Sequence, residues 1–222
     1  RICVLNESVR QMFLSHGRKA KELIVTGNPA FDALVSPTAR QAGGALRHSR
    51  GWNDGCKLIL WASQIEPERH PFANVFGDPS LPRRVERRLR QLVSMHPNLH
   101  LVVRYHPSER VEFEPAPGVS FSPVSEPLSA LLHAVDVVVV TASTVGLEAA
   151  IAGRPVVSID TSVFTPDTRY ASLGISKAVT ELDDLGPAIF AALAGTGSVF
   201  EQGQSGKSAT QEVLRVIDSL LV

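Results

Sequence analysis

Asp136-Val137-Val138-Val139-Val140-Thr141-Ala142-Ser143-Thr144-Val145-Gly146-Leu147-Glu148-Ala149-Ala150 contains a strand, a tight turn and the first turn of a helix. A continuous β-branched run has no polar face to give to water, so it suits a strand covered on both sides of a parallel sheet. Ser143 or Thr144 is a natural N-cap for the helix that follows, and the N–H groups of that turn, backed by the helix dipole, offer a seat for a phosphate. Glu148 falls one turn beyond Thr144 on nearly the same face, where its carboxylate reaches past a phosphate towards ribose hydroxyls. The plain alternative is an ordinary capped helix with Glu148 as a surface charge.

Outward from this stretch, short apolar runs alternate with helical periodicity. Strands are expected at Leu23 to Val25, Leu58 to Trp61, Leu101 to Tyr105, Val137 to Val140 and Val156 to Ile159, with weaker ones at Ile2 to Leu5 and Val119 to Phe121. Between them, Val85, Leu89, Leu92 and Val93 repeat at helical spacing, as do Val9, Met12 and Phe13, then Leu128, Leu131, Leu132 and Val135, and finally Val213, Val216, Ile217 and Leu220. Leu182 to Leu193 reads as the penultimate helix, and Thr26-Gly27-Asn28-Pro29 as a turn opening a short helix near Phe31. The pattern predicts an α/β, Rossmann-like parallel sheet with helices on both faces, in one domain over 1–222. Residues 36–55, with Pro37 and glycines at 43, 44 and 51, read as a mobile loop, and the proline-rich 63–82 as a candidate lid.

In open α/β sheets, ligands collect at the carboxyl edge, so residues just after the strands are the candidates for chemistry. Arg104-Tyr105-His106-Pro107-Ser108-Glu109-Arg110 leaves one such strand. Pro107 holds His106 extended, so its imidazole projects into the crevice, where it can donate to a phosphate oxygen or protonate a leaving phosphate. Tying down its own loop is an equally open role. Ser63 and Gln64 leave another strand with a hydroxyl and an amide, and Gly27 and Asn28 follow Leu23 to Val25 in the same way, although both segments also read as plain turns. Because the His-Pro and Ser-Thr turns both follow strands of one sheet, they are expected to converge on one ligand.

Lys and Arg total 22, as do Asp and Glu, so no overall positive field draws the chain to nucleic acid. Cys3 and Cys56 sit at the edges of apolar runs, as buried reduced thiols do, which points to a cytoplasmic setting. No apolar stretch approaches the roughly 20 residues needed to cross a bilayer. Gly203 to Ser208 has a P-loop flavour, but Glu201 stands where the motif needs glycine, so it reads as a loop capping the last helix. Pro97 breaks the helix on which His96 and His100 would share a metal, and no metal is implied. Arg83, Arg84, Arg87, Arg88 and Arg90 form a basic helix face, read first as solvated and second as a contact for anionic lipid at the inner membrane. No serine lies in a Gly-x-Ser-x-Gly elbow.

Taken together, these segments resemble the glycosyltransferase-B superfamily, especially bacterial capsule and cell-wall transferases, glycerophosphotransferases and UDP-N-acetylglucosamine 2-epimerases. The resemblance runs nearly end to end. Val25 to Asp32 looks like the entry to the second domain of these enzymes, Arg104-Tyr105-His106-Pro107 like their His-Pro motif, Ser143-Thr144 through Glu148 like their Ser-Thr motif, and Gly153 to Val157 like the next strand. It implies the carboxy-terminal, nucleotide-binding half of a two-domain enzyme whose amino-terminal acceptor domain lies outside this chain. It implies a UDP-, CMP- or CDP-linked donor as substrate with no further cofactor, and a glycan or lipid-linked acceptor. By the same resemblance, His106 and the Ser143-Thr144 helix end hold the donor phosphate and Glu148 the ribose, with Arg104 and Pro107 among the substrate-binding residues. Ser143-Thr144-Val145 replaces the Ser-Gly-Gly of the epimerases, and Ser63-Gln64-Ile65 their His-Arg-Arg type segment, which favours transfer over epimerisation. A non-catalytic nucleotide-binding module is the further alternative.

Overall fold

The apolar runs that announce strands form the centre of a sheet in the computed structural model, which describes residues 1–52, 55–168, 170–195 and 208–221. In chain order the elements are β1 (Ile2–Val4), α1 (Glu7–Ser15), β2 (Leu23–Val25), α2 (Pro37–Ser49), β3 (Lys57–Ala62), α3 (Leu81–Met95), β4 (Leu99–Arg104), β5 (Val119–Phe121), α4 (Leu128–Ala134), β6 (Val137–Val140), α5 (Val145–Ile151), β7 (Val156–Ile159), α6 (Thr165–Thr168), β8 (Lys177–Val179), α7 (Leu185–Ala194) and α8 (Ala209–Asp218). They divide into two compact units, Arg1–Pro37 with Phe200–Val222 and Thr38–Val199, where the sequence predicts one domain.

In the larger unit the strands lie in the order β5-β4-β3-β6-β7-β8, and every neighbouring pair is parallel. Alternate residues serve opposite faces. Ile59, Trp61, Leu101, Val103, Val137, Val139, Val157 and Ile159 pack in one cluster with Leu81, Val85, Leu89 and Leu92 of α3 and with Leu185, Ala188 and Ile189 of α7. Val140 belongs to the other face, where it meets Gly146 of α5. Full burial of side chains such as Val85 and Leu89 stabilises the unit by about 1.5–3 kcal/mol each. The chain runs outward from β3 through β4 to β5, then returns to lay β6 on the opposite side of β3. That reversal opens a crevice at the carboxyl ends of β3 and β6.

The structure corrects the loop predicted over 36–55: α2 occupies Pro37–Ser49. Its glycines mark close packing. A Cβ on Gly43 would lie 2.4 Å from the Cβ of His133 and 3.0 Å from the carbonyl oxygen of Ala130, so only glycine lets α2 approach α4 this closely. Arg47 then fixes the helix end by donating to the carbonyls of Ala134 and Cys56 and to the Asp136 carboxylate. The sequence also misses β8, a short edge strand with one buried residue.

In the smaller unit β1 and β2 pair in parallel, Ile2 opposite Leu23 and Val4 opposite Val25, with α1 as the crossover. They form a two-stranded sheet of their own, so Gly27 and Asn28 do not follow a strand of the six-stranded sheet, contrary to expectation. Gly27 turns the chain at φ 79°, and the Asn28 side chain accepts from the Ala30 N–H at the start of a 3-10 helix over Pro29–Val35. The Asp32 carboxylate accepts from the N–H groups of Ala209 and Thr210 and from the Thr210 hydroxyl. Burial pushes the Asp32 carboxyl up, but the bonds from Thr210 and Ala209 outweigh it and hold it below its ordinary value. Residues 203–207 of the P-loop-like stretch lie outside the described residues, and Ser208 caps α8 in a capping box with Gln211. Cys3 is exposed and Cys56 partly so, not buried as predicted; β1 buries only Val4 fully.

Candidate functional site

Segments leaving β3, β4, β6 and β7 surround a pocket of about 520 Å³ at the carboxyl edge, and it takes in Gln64, His106, Ser143 and Thr144 from the predicted set. Ile65, Pro67, Arg69, Pro71, Ala142 and Phe164 complete its wall. Arg69 and His106 bring positive or proton-donating groups, and among the described residues no carboxylate lines the wall. Of these, Arg69 and Phe164 have no sequence signal beyond lying in loops after strands.

His106 opens a turn that engages its backbone N–H, its carbonyl and its Nδ1. Its N–H donates to Glu109 Oε2 at 2.7 Å, its carbonyl accepts from the Glu109 N–H at 2.8 Å, and its Nδ1 accepts from the Ser108 N–H at 3.2 Å. An accepting Nδ1 places the proton of the neutral ring on Nε2, and Nε2 is the atom left for a ligand. The Ser143-Thr144 turn is built differently. Thr144 precedes α5 without a side-chain cap, while the Ser143 hydroxyl accepts from the Val145 N–H at 3.3 Å. Tyr170 donates its hydroxyl to the Ser143 carbonyl at 2.9 Å. Its ring lies so near that a Cβ on Gly146 would come within 3.0 Å of it.

Several predicted residues lie elsewhere. Ser63 is 3% exposed; its hydroxyl donates to Glu109 at 2.9 Å and accepts from Arg83 at 2.8 Å, so it serves the frame and not the pocket wall. The Arg104 guanidinium donates to the Ser122 hydroxyl and to the carbonyls of Pro123, Val124 and Glu126, which makes it the staple of the turn after β5. Pro107 is exposed and outside the wall. Glu148 is half-buried one turn into α5 and is also outside the wall; burial raises its pKa, partly countered by the Arg104 charge. Burial, and then the Glu148 charge, push the Tyr170 hydroxyl up to about 12. Gly27 and Asn28 belong to the smaller unit.

The candidate lid is pinned at its base. Glu66, 4% exposed, accepts from the Ser162 hydroxyl and the Val163 N–H, both at 2.7 Å, and His70 lies 2.8 Å from the Asp167 carboxylate. Arg69 sits between these anchors with its guanidinium 4.7 Å from the Phe76 ring centre. The basic face of α3 is largely matched by carboxylates: Arg83 by Glu86 and Glu109, Arg84 by Asp78, Arg88 by Asp183 and Arg90 by Glu86. Such a face offers little net charge to lipid. His96 meets the Phe190 ring edge-on, and His100 bonds the Ser120 hydroxyl at 2.6 Å. Among the described residues no helix is long and apolar enough to cross a membrane.

No family model and no curated protein matches the sequence. Solved structures match over nearly the whole chain. The UDP-GlcNAc 2-epimerase of Methanocaldococcus jannaschii, in complex with UDP-GlcNAc and UDP, is 12% identical with a TM-score of 0.67, over 98% of this chain and 60% of the epimerase chain. The Neisseria meningitidis UDP-GlcNAc 2-epimerase bound to UDP-GlcNAc is 16% identical at 0.63, over 97% and 59%. The wall teichoic acid polymerase TagF is 15% identical at 0.60, over 99% and 58%. The chain therefore spans about three-fifths of the length of these proteins, and it shares their Rossmann-like α/β fold.

Proposed function

We propose that this chain is the donor-binding half of a nucleotide-sugar-dependent glycosyltransferase acting in bacterial surface polysaccharide or cell-envelope synthesis. The observation that carries this reading is the pocket at the sheet's reversal point, lined by His106, Arg69, Ser143 and Thr144 with no carboxylate among its described lining residues. Its volume falls within the roughly 300–1,000 Å³ usual for small-molecule sites. Ile65, Pro67 and Phe164 supply apolar wall for the uncharged part of a ligand. The fold shared with an epimerase holding UDP-GlcNAc and UDP, and with TagF soaked in CDPG, adds support for a nucleotide-linked donor.

In this reading the donor phosphate accepts from His106 Nε2 and the Ser-Thr turn. As the bond from the sugar carbon to the phosphate oxygen breaks, negative charge grows on that oxygen, and fixed donors stabilise it more than they stabilise the ground state. Arg69 supplies positive charge, so the reading is metal-independent. Glu148, one turn into α5 beyond the pocket wall, takes the ribose of a donor that extends past the wall, and the base that accepts the acceptor's proton lies in a half outside this chain.

Titration calorimetry with UDP, CDP and CMP tests the reading. Removing a hydrogen bond to a charged group costs about 1.5–3 kcal/mol, so His106→Ala is expected to weaken the preferred nucleotide at least about tenfold. Equal affinity for wild type and variant would overturn it. Incubating the whole enzyme with UDP-GlcNAc and no acceptor separates transfer from isomerisation, because only an isomerase yields the C2 epimer.

A further inference from the structure

We infer that Glu109 is a positioning residue that aims His106 at the bound phosphate, an inference that rests on the donor-binding reading above. Its side chain is nearly enclosed, 6% exposed, whereas His106 itself is exposed. Each carboxylate oxygen has a separate task. Oε2 accepts the His106 N–H at 2.7 Å, while Oε1 accepts the Ser63 hydroxyl at 2.9 Å and Arg83 Nη2 at 2.7 Å. One side chain thus ties an exposed turn to the end of β3 and the first turn of α3.

The frame behind Glu109 is itself fixed. Arg83 also donates to Ser63 at 2.8 Å and to Glu86 at 2.6 Å, and its guanidinium lies 4.7 Å from the Tyr105 ring centre. Tyr105 donates to the same Glu86 at 3.1 Å. The N–H, carbonyl and Nδ1 of His106 are all engaged within residues 106–109, so the remaining freedom is that of the turn as a body. Glu109 removes that freedom. A neutral amide in its place has one acceptor oxygen and a donor group, so it cannot accept from His106 on one side and from Ser63 and Arg83 on the other.

The test uses the whole chain, with Glu109→Gln, His106→Ala and the double variant titrated with UDP and CDP, and with the His106 ring nitrogens followed by 15N NMR without nucleotide. Wild type is expected to show the Nε2-protonated tautomer, and Glu109→Gln a mixture of tautomers. Glu109→Gln is expected to weaken nucleotide binding about tenfold alone, the size of a lost charge-assisted hydrogen bond, and to change nothing further once His106 is alanine. A further loss on the His106→Ala background, or an unchanged His106 spectrum in Glu109→Gln, overturns the positioning role. Should Glu109→Gln not fold, Ser63→Ala removes one of the three bonds and is expected to shift the same spectrum in the same direction; no shift there is equally fatal. Absence of nucleotide binding by wild type would defeat the donor-binding reading alone, since the spectra still decide what Glu109 does.

Discussion

The two turns that flank the pocket are held in place by different physics. The His106 turn hangs on a buried carboxylate, with Glu109 joining it to Ser63 and Arg83. The Ser143-Thr144 turn is wedged by packing, with Tyr170 lying against Gly146 and donating to the Ser143 carbonyl. A site assembled from one polar and one packed half has two independent ways to fail, and each can be broken while the other is watched.

The packed half should give the larger effect on stability. Gly146→Val places branched carbon where even a single Cβ would lie 3.0 Å from both Tyr170 and Val140, and overpacking of this kind costs about 1–3 kcal/mol. Urea unfolding should register that loss, with nucleotide binding reduced and the His106 tautomer intact. Unchanged stability would mean that the turn is not wedged at all.

Glu148 should give the smaller effect, and of opposite sign. Burial raises its carboxyl above the ordinary 4.5, with Arg104 drawing it back only in part. The folded state therefore holds this proton more tightly than the unfolded one. The resulting stabilisation is present below the ordinary carboxylate range and is lost as pH rises through the raised value. Glu148→Gln should accordingly melt slightly higher than wild type near neutral pH and level with it near pH ~4, while binding nucleotide less well. A lower melting temperature at neutral pH would show that the charge stabilises the fold instead.

Much of this was legible in the residues, and the failures have physical causes. Strands buried on both faces, such as Val137–Val140, declare themselves by unbroken apolar runs, and Pro107 and the Ser-Thr turn mark where two of them end. Helix α2 was hidden because Gly43, chosen for close contact with His133, looks like a loop glycine when the partner is out of view. Arg104 and Ser63 stood at the right edge of the sheet, but position along the chain does not say where a side chain finds its acceptors. Glu109 lay inside the quoted His-Pro stretch, yet its importance comes from Ser63 and Arg83, which are distant in sequence. Tyr170 and Phe164 reach the site from the segment after β7, and only the topology brings them there.

The most direct measurement is a crystal structure of the whole enzyme with UDP, CDP or CMP bound. The account predicts a phosphate within hydrogen-bond distance of His106 Nε2 and of the Ser143-Thr144 turn, with Arg69 facing it. A nucleotide whose phosphates lie away from both turns, in a pocket that leaves His106 facing solvent, would contradict it.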